Sequence, residues 1–416
     1  MTSLDLPRLQ KRVLRTLMAG QMLSGFGVGA TFSAGAMLAE AISGSAAWSG
    51  AASTFSTLGA ALWAIPLSRL AVARGRRIAL ATGAVLAVTG AVTIVTAAVV
   101  NVFAILIIGL IFIGAASAIS LQARFSATDL PSNRSTSRDL SLVVWATTIG
   151  AVVGPNLIAP GDSLGLALGL PHLSGPFLIT VFAQLAGATA FWIGLRPDPL
   201  LTARSLDPNR TGVRPKGSIK SAIAILRANP TAAYAVATVA LSHMVMVAVM
   251  SMTPVHMKDM GFSLVIVGFT ISLHVAGMWA FSPIFGWAAD KVGKVTVIVI
   301  AQVIYLAALA FCAFGSMDRV TISIGLLLLG LGWSAATVAG SSLLSSSITG
   351  EEKAHVQGLS DSLMSLSGAT GGAAAGLVLA SVAYPGLAVV ALVPVSLILL
   401  LTGVRRFGKN IAALHN

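Results

Sequence analysis

Gly286-Trp287-Ala288-Ala289-Asp290-Lys291-Val292-Gly293-Lys294 sets three charges around a glycine, between apolar runs at 263–288 and 295–315. Each run is close to the ~20 residues that a bilayer-spanning helix needs, so the charged segment reads as a short connection at a membrane face. Outward from it, further apolar runs fall at 17–42, 49–72, 78–100, 102–124, 140–160, 175–195, 231–255, 320–345, 358–381 and 384–404, which makes twelve. With 56% hydrophobic and only 9% charged residues in 416, the composition excludes an ordinary soluble domain. It predicts an all-α polytopic membrane protein with 12 transmembrane helices.

A formal net charge of +13 raises the question of nucleic acid, and the placement of the charges answers it. Alternating the loops from a cytoplasmic N-terminus leaves Lys258 and Arg319 outside and the other 24 of the 26 basic residues inside. That bias places both termini in the cytoplasm and excludes nucleic acid as a partner. The opening Arg8, Lys11, Arg12 and Arg15 runs straight into a full-length span, so no cleavable signal peptide is expected. Cys312 is the single cysteine, which argues against an internal disulfide or a thiolate metal cluster. The sequence has no phosphate-binding loop and no nucleophile with a nearby histidine and acid. Neither ATP-driven transport nor an enzyme is expected, and no cofactor.

Residues 196–230 carry Pro197, Pro199, Pro208 and Pro215 with seven basic residues, and read as a cytoplasmic linker between halves at 1–195 and 231–416. The halves echo each other, since Arg74-Gly75-Arg76-Arg77 follows the second span as Asp290 to Lys294 follows the eighth. Two six-helix halves and the pattern Gly-x-x-x-Asp-Lys-x-Gly-Lys resemble the major facilitator superfamily. The resemblance implies a cargo site near the bilayer midplane, between residues 14–195 and 231–404. It also implies a conformational latch at Asp290, Lys291 and Gly293, where a carboxylate can accept bonds from a neighbouring helix end. Val72 takes the acidic place in the first half. Gly150-x-x-x-Gly154-Pro155 is similar to part of the superfamily's antiporter signature, with close helix contact at the glycines and a bend at the proline. Ile158 and Ala159 replace the glycines that should follow, so antiport is not inferred.

Seven of the 13 methionines lie between Met244 and Met278, together with His256 and His274 and next to His243. Met246 and Met250 share one helix face, as do His274 and Met278, because each pair is four residues apart. Thioether sulfur and imidazole nitrogen suit a soft ion such as Cu(I). Counting from the outer ends of the seventh and eighth spans, Met246 and His274 reach the same depth, roughly 15 to 18 Å in. Met250 then stands a turn above and Met278 a turn below, forming a ladder along which an ion could step. Met252, His256, Met257 and Met260 stand at the outer turn as the entry.

Met-x-x-x-Met in the seventh span followed by His-x-x-x-Met in the eighth resembles the CcoA-like copper transporters, bacterial inner-membrane importers. This resemblance implies copper as cargo at Met246, Met250, His274 and Met278, carried by a monomer. Other members of that group import riboflavin, which is the alternative cargo; proton-coupled efflux of a drug or small solute is a third. The plainer reading of the methionines is helix packing. His274 could instead carry a proton or bond a flavin, since an ionisable group at that depth is costly. Glu40 and His243 are the coupling candidates, against an interfacial role for Glu40 and a helix-to-helix bond for His243. Asp361 reads as a helix-start or latch residue. Trp63, Trp145, Trp279 and Trp333 can pack or stack on an aromatic cargo.

Overall fold

The fold is taken from a computed structural model that describes residues 5–44, 48, 51–130, 136–206, 219–262, 264–349 and 352–414. Sixteen helices follow in order: α1 (Leu6–Ser43), α2 (Ala51–Arg74), α3 (Arg76–Val100), α4 (Phe103–Ser126), α5 (Thr136–Asn156), α6 (Ile158–Ala167), α7 (Gly175–Gly194), α8 (Pro199–Ser205), α9 (Ile219–Ala228), α10 (Pro230–Asp259), α11 (Leu264–Trp279), α12 (Ser282–Lys291), α13 (Lys294–Phe314), α14 (Arg319–Ser347), α15 (Lys353–Val390) and α16 (Leu392–Leu414). Within the described residues, every expected apolar run falls on this helical framework. Among the described residues, nine stretches are long and apolar enough to cross a membrane.

Local chemistry explains where the helices depart from the apolar runs. Asp5 accepts the amide of Arg8 (3.1 Å) and Pro7 occupies the first turn, so α1 begins at Leu6 and takes in the basic prelude before position 17. The run at 263–288 is divided into α11 and α12, because Pro283 has no N–H to give and cannot continue the preceding turns. Between the last two runs the chain leaves helical angles at Ala383 (φ 57°, ψ −178°), two residues before Pro385. The segment read as a linker contains the short helices α8 and α9 on either side of 207–218, which lie outside the described residues.

The helices form two compact units. The first takes Met1–Leu226 together with Ile348–Leu366, and the second takes Arg227–Ser347 with Ser367–Asn416. The division thus falls within α15 as well as at the linker, whereas the reading of the sequence placed all of 231–416 in one half. In unit 1, α1 packs on α5 and α7, and α4 on α2 and α3. Gly25 and Gly150 set α1 against α5 backbone to backbone. Gly154 and Pro155 belong to the last turns of α5, and their packing lies outside the described residues. In unit 2, α14 is the central helix, with α10, α11 and α13 packed on it. Leu377, Val393 and Leu400 are largely exposed, as lipid-facing side chains are.

Candidate functional site

His274 sits on α11 where that helix crosses α14 at close range. A Cβ at Gly330 of α14 would strike the carbonyl of His274, and one at Gly277 would press on the Leu327 carbonyl, so the small residues bring the two backbones together. The imidazole is fully buried, and its Nδ1 lies 2.8 Å from the Leu326 carbonyl oxygen. A carbonyl only accepts, so Nδ1 carries the hydrogen and the Nε2 of the neutral ring is a lone pair. Nε2 is buried and has no hydrogen-bond partner among the described residues. This is how metal-binding histidines are commonly held: one ring nitrogen anchored to a backbone carbonyl, the other left as donor.

Met278 follows one turn along α11 and is buried; on α10, Met246 is buried and Met250 half-buried. The expected ladder had α10 and α11 facing each other. They touch only slightly, and each packs far more extensively on α14. Both pairs thus lie on helices that pack on α14, and the direct facing of α10 on α11 is limited, because consecutive antiparallel helices need not be close neighbours when a later helix packs against both.

His243 has the opposite ring polarity. Its Nδ1 accepts the indole N–H of Trp333 (2.9 Å), which puts the hydrogen of the neutral ring on Nε2 and occupies the only lone pair. Trp279 stands edge-on to Trp333 at 6.3 Å between centroids, so His243, Trp333 and Trp279 form one aromatic row across α10, α14 and α11. The backing of His243 is tight: a Cβ at Gly368 would meet its ring. Among the entry residues, His256 lies 3.0 Å by Nε2 from the Ser316 carbonyl and stacks on Tyr384 (4.5 Å, 4°). Met257 is fully buried, Met252 half-buried and Met260 exposed, so these side chains do not present one common face to an arriving ion. Glu40 is exposed at the end of α1, and it lies in unit 1 while His243 lies in unit 2.

The two charged turns share a backbone. Gly75 (φ 92°) and Gly293 (φ 95°) each precede a helix, in a region where other residues are strained. Asp290 and Lys291 are exposed, and Lys291 lies over the Trp287 ring at 4.8 Å. The carboxylate missing at Val72 comes from elsewhere. Asp198, which sequence reasoning passed over, accepts the amide of Arg77 (2.7 Å) through Oδ2 and the amides of Leu200 (3.0 Å) and Leu201 (3.1 Å) through Oδ1. Its Asp-Pro start to a short helix was the available signal.

Comparison with known proteins agrees with this architecture. The profile described as Major Facilitator Superfamily matches residues 17–278 and 257–411. YdeG of Bacillus subtilis (strain 168), an uncharacterized MFS-type transporter, is 34% identical over 384 residues, covering 92% of this chain and 89% of YdeG. The riboflavin transporter RfnT of Brucella anthropi is 27% identical over 311 residues, or 74% of either chain. The crystal structure of the human organic anion transporter MFSD10 superposes with a TM-score of 0.71 at 16% identity, covering 94% of this chain and 99% of that one; at such identity the likeness concerns the fold alone.

Proposed function

The chain belongs to the major facilitator superfamily, and from that premise we propose that it imports copper, as Cu(I), through His274, Met278, Met246 and Met250 by alternating access. Its family makes it a membrane transporter and not an enzyme. One observation carries the choice of cargo: a buried imidazole whose Nδ1 is tied to the Leu326 carbonyl and whose Nε2 lone pair has no partner. Leaving a buried acceptor unmatched costs roughly 1–3 kcal/mol, and a soft cation that visits the site recovers it. Met278 offers a thioether one turn away, and the ion is passed on by exchange of one or two ligands, since a closed tetrahedral cage would trap it. The placement in a bacterial inner membrane with both termini cytoplasmic, and action as a monomer, belong to the same proposal.

A second reading has its own support. The row of His243, Trp333 and Trp279 suits a planar aromatic cargo, and RfnT is a riboflavin transporter. Titrating the purified protein with Cu(I) under reducing conditions, and separately with riboflavin, decides between them. The copper reading predicts one Cu(I) bound per chain by the wild type and none by His274→Ala. Riboflavin binding that survives His274→Ala and is lost in Trp333→Ala, with no copper bound, would replace it.

A further inference from the structure

Unit 1 seals two arginine–aspartate pairs away from solvent, and they are built differently. Arg76 of α3 grips Asp129 at both oxygens, Nε to Oδ2 at 2.8 Å and Nη2 to Oδ1 at 3.3 Å, and the same Nη2 donates to Gln357 Oε1 at 2.6 Å. Arg124 of α4 makes one bond to Asp361 of α15, Nη2 to Oδ1 at 2.7 Å, with the Met364 sulfur 3.6 Å from that nitrogen. Asp361 Oδ2 and Arg124 Nε are buried without a partner among the described residues. Both side chains of this pair are 2% exposed or less.

A carboxylate held at one oxygen has the whole of the other free to take a proton, whereas at one gripped at both oxygens by a guanidinium the proton must go on beside an existing charge-assisted bond. The charged groups that face Asp361 are Arg124 from α4 and Arg76 from α3, with Asp129 beyond Arg76. Beside it on α15, Ser362 donates to the Ala61 carbonyl of α2 (2.6 Å) and Gly358 lies against Ser68 of α2, both neutral contacts. The pair also stands at a special point in the chain, because α15 passes from unit 1 to unit 2 between Leu366 and Ser367.

We propose that Asp361 is the proton-binding site of the carrier, and that the proton is its coupling ion. The proton adds to Oδ2 of Asp361, so the buried pair goes from neutral to one net positive charge. The bond from Arg124 then loses the attraction between opposite charges, and the first turns of α15 are held less firmly in unit 1. This rests on the chain being a secondary transporter and is independent of its cargo.

Two measurements on the full-length protein in lipid bilayers test it, both without cargo. Infrared difference spectra between neutral and acidic pH should show a carboxylic-acid C=O band in the wild type. The band should shift in frequency in Asp361→Glu and disappear in Asp361→Asn. Hydrogen exchange over residues 353–366, corrected for intrinsic rate, should rise at acidic pH in the wild type; in Asp361→Asn it should be high at both pH values. Should Asp361→Asn fail to assemble, the frequency shift in Asp361→Glu decides. A wild type with no such band, a band indifferent to substitution at Asp361, or exchange over 353–366 unchanged by pH would overturn the proposal. Failure of copper binding would leave all these results standing.

Discussion

The turn before α3 and the turn before α13 are the same piece of backbone put to different use. Both begin on a glycine with φ above 90° and continue with a basic residue. In unit 1 that residue is Arg76, which reaches a carboxylate at Asp129 and an amide at Gln357 and is wholly buried. In unit 2 it is Lys294, whose ammonium finds the hydroxyl of Ser346 at 2.9 Å. A repeated fold thus preserves the turn while the chemistry diverges. Unit 1 buries two arginine–aspartate pairs, while unit 2 buries the neutral imidazole of His274.

Substitutions can break this contrast, and the largest effect is expected at Arg76. Arg76→Ala leaves Asp129 charged and unmatched in the interior, which should cost about 3–5 kcal/mol or prevent assembly, read as lost thermal stability in detergent. Lys294→Ala should change stability by no more than ~0.5 kcal/mol. Equal losses at the two positions would mean that the buried pair is no more than a surface contact in its effect.

The glycines come next. Alanine at either is strained by roughly 1–3 kcal/mol. At Gly75 the new methyl would also collide with the Asp198 carboxylate, whereas at Gly293 its nearest neighbour is Thr296 Oγ1 at 3.8 Å. Gly75→Ala should therefore lower the melting temperature more than Gly293→Ala. Asp198→Ala, which removes the acceptor of three backbone amides, should cost about 0.5–2 kcal/mol, in the range of a lost helix cap.

The smallest effect is expected at an exposed pair. Asp162 accepts the Leu173 amide at 2.6 Å and lies 3.1 Å from His172 Nδ1. The bond from Leu173 foremost holds its carboxyl below the ordinary value of 3.8, against the opposing effect of burial and with His172 adding to the lowering. A lowered value in the folded state gives stability that is present above the unfolded value and is lost as pH falls through the folded one. Asp162→Asn should thus lower stability slightly at neutral pH and leave it unchanged at a pH below the carboxylate range. A difference that persists in acid would assign the effect to shape instead of charge.

Much of this architecture was legible in the residues. The run read as 78–100 is α3, Arg76–Val100, and the break placed between 381 and 384 falls at Ala383. His274 stood out because a histidine inside an apolar span needs a reason. Its ring polarity did not, since its partner is a main-chain carbonyl 52 residues further on, and a carbonyl has no residue type to read. Asp361 was read as a helix-start or latch acid, but α15 begins at Lys353, and its partner Arg124 lies 237 residues earlier. How α10 and α11 meet was hidden for a related reason. Spacing along one helix reports its own faces, while the neighbour of each face is chosen by tertiary packing, and here α14 supplied it.

Uptake into cells expressing the protein, with radioactive copper and labelled riboflavin run side by side and each competed by the other unlabelled compound, tests the central claim most directly. The account predicts copper accumulation that riboflavin does not compete away, that is abolished by His274→Ala, and that is weakened less by Met250→Ala. Riboflavin accumulation indifferent to copper, with copper levels unchanged in His274→Ala cells, would contradict it and leave the methionine and histidine pairs as packing in a vitamin carrier.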